Sequence, residues 1–423
     1  MPTPPSDLTA SERDLLAPVS DAREPMLSDV MAWSSQNSGS RNADGLARMR
    51  ARLADAFAAL PGDIREARLP DQPVVSASGE SVGLPLEPAL EVSVRPDAPV
   101  QVVLTGHYDT VFPPDCGFLE PVRVDEDTVN GPGLADMKGG IRVMLEALRT
   151  FEAHPDANRV GYTVLLSPDE EIGSPGSAHR LAELGRRSHV GLTFEPALAD
   201  GSLAGARKGS GNFALTVRGR AAHAGREHHL GRNAMTALAR FAARLDELNG
   251  QRDGVTFNFA KVDGGGATNI VPELAIGRFN VRMPETDDLD WIRDNIERLA
   301  AQTDAEDGIT ATLSGGFSRP PKPMSPANAQ VFDWVRRAGA SLGQDIRWSP
   351  SGGVCEGNNL WASGCPNVDT LGVRGGEIHS DREYMIVPSL VERAQLSALI
   401  LSRIADGQYD ARALKASVGA AAC

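Results

Sequence analysis

Val100-Gln101-Val102-Val103-Leu104-Thr105 is a β-branched, apolar run that stops on Gly106-His107-Tyr108-Asp109. A short run of that composition, closed by glycine and polar side chains, predicts a strand buried on both faces. The chain downstream repeats the pattern. Gly140 to Phe151 predicts a helix, and Val160 to Ser167 a second buried strand ending in Pro168-Asp169-Glu170-Glu171. A helix over about Ser177–Leu184 and a strand over Val190–Phe194, ending at Glu195-Pro196, follow. Strands and helices that alternate with short connections predict an α/β fold with a mostly parallel sheet. Chemistry in such sheets collects beyond the carboxyl ends of the strands. The polar clusters at 106–109, 168–171 and 195–196 all stand at strand ends.

Outward from this centre, Met26–Trp33 and Leu46–Leu60 predict helices, joined by the loop Ser34-Ser35-Gln36-Asn37-Ser38-Gly39-Ser40. Residues 1–24 are polar and Pro-bearing and read as partly loose. From residue 206 the order changes to strand (Asn212–Val217), helix (Asn233–Leu248), strand (Val255–Lys261), strand (Leu274–Arg282), helix (Asp288–Ala301) and strand (Ile309–Leu313). That is the split βαβ order of a ferredoxin-like α+β unit. Pro320-Pro321-Lys322-Pro323 marks the return to the first unit. A helix (Ala327–Leu342), a strand (Val368–Leu371) and a closing helix (Ser389–Ile404) complete it. The expected division is a catalytic domain over 1–205 and 321–423, interrupted by an inserted domain over 206–320.

Composition excludes several classes of function. The 42 Lys and Arg stand against 56 Asp and Glu, a net charge of −14. That balance gives no basic face for nucleic acid and disfavours docking on anionic membranes. The four cysteines (Cys116, Cys355, Cys365, Cys423) form no CxxC pair and too sparse a set for a disulfide framework. No basic segment followed by an apolar run is evident near Met1, and no stretch approaches the length of a membrane span. A cytoplasmic protein with reduced thiols is the expectation.

His107, Asp109, Asp136, Glu170, Glu171, Glu195 and His379 carry the chemistry. His107 and Asp109 are two apart at a strand end, so they share a face if the strand continues. Asp136 lies in the glycine-rich turn Gly131-Pro132-Gly133-Leu134-Ala135-Asp136-Met137-Lys138-Gly139-Gly140, and His379 in Gly375-Gly376-Glu377-Ile378-His379-Ser380. Singly, each is ordinary: a structural His, a solvated Glu pair, a turn Asp. Converged, they bring too many carboxylates together to be buried without counter-charge. One or two divalent cations resolve the conflict. Mixed His and carboxylate ligation without Cys suits zinc, with cobalt or manganese as substitutes. Two ions about 3.5–4 Å apart, sharing one carboxylate, leave room for a bridging hydroxide.

These stretches resemble, in order, the motifs of a family of dizinc peptidases and amidohydrolases. The family includes bacterial glutamate carboxypeptidase, aminoacylase, acetylornithine deacetylase and succinyl-diaminopimelate desuccinylase. The matching stretches are Thr105-Gly106-His107-Tyr108-Asp109-Thr110-Val111, the turn around Asp136, Asp169-Glu170-Glu171-Ile172-Gly173-Ser174, Phe194-Glu195-Pro196, and His379-Ser380 with Glu383-Tyr384. The resemblance implies that Asp136 bridges two metals, with His107 and Glu195 on one and Glu171 and His379 on the other. Glu170 would be the general base and Asp109 would orient His107. It also implies a cis Asp136–Met137 peptide.

The inserted unit matches as a lid and dimerisation domain. His223, in Arg218-Gly219-Arg220-Ala221-Ala222-His223-Ala224-Gly225, resembles a lid histidine that reaches the partner subunit's site and polarises the scissile carbonyl. His228 and His229 match nothing and read as surface. By the same resemblance Asn269, Arg319 and Lys208 contact the substrate, with Gly353 and Asn358 in the pocket loop. Arg319 also reads as a salt bridge at the domain junction. Cys355 and Glu356 depart from the small or Asp residues common in relatives.

The implied activity is hydrolysis of the amide bond of an N-acyl amino acid, or of a peptide with a free C-terminal carboxylate, by a homodimer holding two divalent metals. The closest branch is the glutamate carboxypeptidase-like one. An aminoacylase or amino-acid-conjugate hydrolase is the alternative substrate reading. A binding or scaffold protein with a dead site is the alternative from another class, and the intact ligand set argues against it.

Overall fold

The strands that open the sequence reading form the middle of a six-stranded sheet. The computed structural model describes residues 7–421. Across the sheet the strands run Asp63–Ala67, Ala89–Val94, Val160–Ser167, Val100–His107, Val190–Thr193 and Asn367–Val368. The last four are mutually parallel, and the first two pair antiparallel at one side. The register sets His107 opposite Ser167 and Thr105 opposite Thr193. The chain therefore leaves the sheet at 107–109, 168–171 and 194–195 along one edge.

Both faces of these strands are buried. Val102, Leu104, Val164 and Leu166 join the core beneath the helices Gly139–Glu152 and Ser389–Ala405. Val103 and Leu165, of opposite parity, pack against Leu181 and Leu184 of Ala178–Arg187 and Leu360 of Glu356–Ala362. Each fully buried aliphatic side chain contributes about 1.5–3 kcal/mol. The close fit has a stated cost in side-chain size. A Cβ on Gly140 would lie 2.0 Å from the Phe194 carbonyl, and one on Gly372 would lie 2.3 Å from it. Glycine at both places lets a helix start and a loop close on the strand end that presents Glu195.

The structure departs from the sequence reading most plainly at two places before residue 100. Residues 10–21 are not loose: Ala10–Leu16 and Pro18–Asp21 are helical, with Leu16 and Val19 buried and Glu12 paired to Arg403 at 2.9 Å. Polar composition hides this because the contacts that order the segment come from the far end of the chain. The strands at 63–67 and 89–94, and the hairpin Gln72–Val75/Ser81–Leu84, were not anticipated. In Ala89–Val94 the charge of Glu91 breaks the apolar pattern, yet Glu91 is buried between Arg65 and Arg180.

The inserted segment forms a four-stranded antiparallel sheet in the order Thr256–Gly264, Leu274–Met283, Gly209–Arg218, Thr310–Arg319. The helices Ala234–Asp246 and Asp288–Asp304 cover one face around Leu215, Val217, Phe241, Phe279 and Ile296. The hairpin 72–84 crosses the other face, where Arg278 donates to the Val75 carbonyl and Arg218 to the Ser78 carbonyl, both at 2.8 Å. The remainder of that face, with Asn212, Asn258, Asn280 and Arg282, roofs the cavity at the edge of the large sheet. Among the described residues no helix is long and apolar enough to cross a membrane.

Candidate metal centre and its cavity

Five elements deliver the candidate ligands to one place. His107 is the last residue of its strand and is fully buried. Its Nδ1 meets the Asp109 carbonyl at 3.0 Å, which turns Nε2 toward Asp136 Oδ1 at 3.0 Å and Glu195 Oε1 at 3.8 Å. The other oxygen of Asp136, Oδ2, faces His379 Nε2 at 3.3 Å, and that nitrogen also lies 3.2 Å from Glu171 Oε2. Asp136 thus presents one oxygen to each of two imidazoles. Donor atoms of His107, Asp136 and Glu171, and of His107, Glu170 and Glu195, lie within 4.8 Å of one another. All seven residues singled out at the strand ends and turns meet here, with Glu170 inside the second of these groups and Asp109 behind His107.

The turn carrying Asp136 is held from outside. The carboxylate of Glu383 accepts from the backbone N–H groups of Gly133, Ala135 and Asp136 at 2.9–3.1 Å. The Asp136–Met137 peptide is cis. His379 sits at φ +64, a left-handed conformation that costs a non-glycine residue about 1–3 kcal/mol and persists only where neighbours impose it. Asp109 does more than orient His107. Its Oδ1 accepts from the Glu170 N–H at 3.1 Å, and its Oδ2 from the Glu171 N–H at 3.2 Å and from Ser40 Oγ at 2.8 Å. One buried carboxylate therefore ties the first strand end to the second.

The electrostatics test whether cations fit. Burial, and then the charge of Asp136, push Glu171 up to about 8 and raise Glu195 well above the usual carboxylate range. Burial alone would lower His107, but Asp109 and Asp136 outweigh it and hold the imidazole well above its ordinary value. Hydrogen bonds that His379 donates to Asp136 and Glu171 lift its imidazole to about 10. The protein's own groups balance their charges only by retaining protons. Glu171 Oε1 and Glu195 Oε1 are buried and make no hydrogen bond. Orphaned carboxylate oxygens aimed into a His/carboxylate set are what divalent cations satisfy. The residues fit a pair of metal ions.

The cavity beside this centre encloses about 730 Å³. Of the residues expected at the substrate, the structure brings in Arg319 and Gly353. Arg319 does not stand free: it pairs with Glu170 Oε1 at 2.5 Å. Lys208 does not line the cavity, because its Nζ donates to the Gly254 carbonyl. Asn358 is buried, and its amide serves the junction by donating to the carbonyls of Lys208 and Pro320. His223 and Asn269 lie where two exposed loops of the inserted domain meet, and there the Ala224 N–H donates to the Asn269 carbonyl. Neither lines this chain's cavity.

Arg207 and Arg282, which do line it, were missed in the sequence reading. Strand parity carries the signal for the first. Leu203, Gly205 and Arg207 alternate inward along one strand, so Arg207 rather than Lys208 points in. Arg282 extends from the strand Leu274–Met283, and its Nη1 is buried without a partner. Glu356 is fully buried and bonded to Ser167 Oγ, and its other oxygen has no partner.

Comparison with known proteins places the chain among peptidases and amidohydrolases. A family model described as a peptidase dimerisation domain matches residues 205–308. Carboxypeptidase G2 of Pseudomonas sp. (strain RS-16) is 27% identical over 357 residues, covering 83% of this chain and 85% of that one. Succinyl-diaminopimelate desuccinylase of Stutzerimonas stutzeri (strain A1501) is 30% identical over 285 residues, covering 63% of this chain and 72% of that one. Among solved structures, a tripeptidase from Staphylococcus aureus superposes with a TM-score of 0.69 at 22% identity, covering 91% of this chain and 99% of that one. An M20 family metallo-carboxypeptidase from Sulfolobus solfataricus gives 0.66 at 15% identity, covering 89% and 98%. At these identities the solved structures establish the shared fold.

Proposed function

The chain belongs to the M20 peptidase family and is a hydrolase, and from that premise we propose that it cleaves the amide bond of an N-acyl amino acid or of a peptide with a free C-terminal carboxylate. The observation that carries the reading is Asp136, with its two oxygens turned to two different imidazoles. On this reading His107, Asp136 and Glu195 hold one divalent ion, and Asp136, Glu171 and His379 hold the other, with zinc the metal best suited to the set. Two such ions, when bound, would polarise the scissile carbonyl and acidify a water molecule.

The remaining work falls to the chain. Glu170 belongs to neither ligand set and is free to move a proton. Its carboxylate takes one from the attacking water as the water oxygen bonds to the carbonyl carbon. It then returns that proton to the nitrogen as the C–N bond breaks, releasing a carboxylic acid and an amine. Asp109, through the two backbone N–H groups it holds, keeps Glu170 and Glu171 in register with His107.

Two relatives bear names that denote release of a C-terminal residue and removal of a succinyl group from diaminopimelate. Arg282, whose Nη1 is buried without a partner at the cavity wall, supports a substrate with an anionic group. Ile172, Leu198, Val354 and Ile378 also line it and favour, as a second reading, an aminoacylase-like taste for an apolar acyl group. Hydrolysis of N-acetyl and N-benzoyl derivatives of glutamate, aspartate and phenylalanine separates the two. Glu170→Gln is expected to keep its metals and lose about 10²–10⁴-fold in kcat. Wild-type turnover in that variant would remove Glu170 from its role.

The enzyme is further proposed to be a cytoplasmic homodimer whose inserted domain lends His223 to the partner's site. His223 Nδ1 accepts from the N–H groups of Gly225 and Arg226, which puts the ring proton on the exposed Nε2. A fixed Nε2–H facing outward suits a donor to the oxyanion of a neighbouring site. Mixing inactive Glu170→Gln chains with inactive His223→Ala chains should restore activity, since some sites would then combine two intact contributions. No recovery after subunit exchange would place His223 elsewhere.

A further inference from the structure

Arg319 grips Glu170 at both ends. Its Nη1 pairs with the Glu170 carboxylate at 2.5 Å, its Nη2 donates to the Glu170 carbonyl at 3.0 Å, and the same Nη2 donates to Ser174 Oγ at 2.7 Å. The guanidinium is only 2% exposed. The Glu170 N–H is already held by Asp109. Backbone donor, backbone acceptor and carboxylate of one residue are thus all engaged, the last two by a single arginine. Glu170 cannot swing away without leaving a buried guanidinium unpaired, which is strongly unfavourable.

The place of Arg319 in the chain adds a second observation. It is the last residue of the strand Thr310–Arg319 and lies opposite Ser210, near the start of Gly209–Arg218. These are the two points where the chain passes between the inserted sheet and the rest of the molecule. A movement of that sheet therefore carries Arg319, and with it the carboxylate of Glu170.

We infer that Arg319 is a positioning residue for Glu170, which couples the setting of the inserted sheet to the orientation of the proton-transfer group, and that it is not the anchor for the substrate's carboxylate. This inference rests on the reading of Glu170 as the group that moves the proton. A bidentate carboxylate anchor needs two open donors facing the substrate, whereas both Nη atoms of Arg319 are engaged by Glu170 and Ser174 and only Nε is left without a partner. Arg319 acts through Glu170, so its removal should slow the chemical step without weakening binding.

Two measurements test it. In metal-free protein, the losses of melting temperature in Arg319→Met and Glu170→Gln should sum to more than the loss in the double variant, because each single change strands the other's partner. Strict additivity would overturn the pairing. In metal-loaded protein, the fastest substrate among the N-acetyl and N-benzoyl derivatives of glutamate, aspartate and phenylalanine is compared with its α-carboxamide. Arg319→Lys keeps the charge and the fold but cannot reproduce the grip on both ends of Glu170. It should lower kcat by about 100-fold, with KM changed by less than about threefold, and by the same factor for acid and amide. A rise in KM at unchanged kcat, or an effect that disappears in the amide, would overturn the inference and make Arg319 the carboxylate anchor. Glu170→Gln keeps the outcomes distinct. If that variant is inactive while Arg319→Lys alters only KM, the positioning role fails and the proton-transfer reading stands. If Glu170→Gln turns over normally, that reading fails and the inference falls with it.

Discussion

Two of the buried charge clusters in this chain treat charge in opposite ways. In the first, Arg207 meets Asp369 with both arms, at 2.8 and 2.9 Å, and Lys322 reaches the same carboxylate at 2.7 Å. Burial opposes the charge of Asp369, but Arg207 and Lys322 outweigh it and hold that carboxyl down at about 2. In the second, around Asp136, burial drives Glu171 and Glu195 toward their neutral forms and leaves an oxygen of each without a partner. The first carries its own cations and is complete as a structural joint. The second is rich in carboxylates and short of fixed positive charge, and it is complete only with ions from outside. A buried carboxylate marks function when its counter-charge is missing from the fold.

Replacing Asp369 should break the self-sufficient cluster. Asp369→Asn leaves Arg207 and Lys322 buried without their anion, and a loss of about 3–5 kcal/mol in unfolding free energy is expected. The pH dependence has a definite sign. The folded pKa lies below the ordinary value of 3.8, so the contribution is present above that value and is lost as pH falls toward about 2. Urea titrations at a series of pH values should show wild type losing this increment between about pH 4 and 2. A variant as stable as wild type at neutral pH would show that the two clusters do not differ as described.

The second cluster should respond with the opposite sign. Glu195→Gln removes a carboxylate that burial already disfavours, so the metal-free variant should melt at or above the wild-type temperature. Added zinc should separate the two proteins. At a free concentration about 100-fold above Kd, wild type gains about 2.7 kcal/mol, and the variant should gain much less. Equal stabilisation of both by zinc, in calorimetry with and without chelator, would remove Glu195 from the ligand set.

The two regions also differ in how far they can be read from sequence. The ligands around Asp136 stand at strand ends or in glycine-rich turns, where apolar runs stop abruptly, and such stops are local signals. Asp369, Arg207 and Lys322 carry no such mark. Arg207 lies next to Lys208, and only the inward parity of its strand selects between them. The pairing of Arg319 with Glu170 joins residues 149 positions apart. The helices at 10–21 and the strand around Glu91 were hidden for the same reason, since their polar residues are compensated by Arg403, Arg65 and Arg180 from distant parts of the chain.

Hydrophobic periodicity and the punctuation of glycine and proline were enough to predict the alternating α/β order, the inserted split-βαβ unit and the edge of the sheet where polar groups gather. Those features follow from short-range sterics and from the burial of contiguous apolar residues, which a linear reading sees. Partner choice among charged groups was decided only by folding. Coulomb attraction and hydrogen bonding in a dry interior depend on distance in space, and residues far apart in the chain reach that distance only when the sheets and helices have packed.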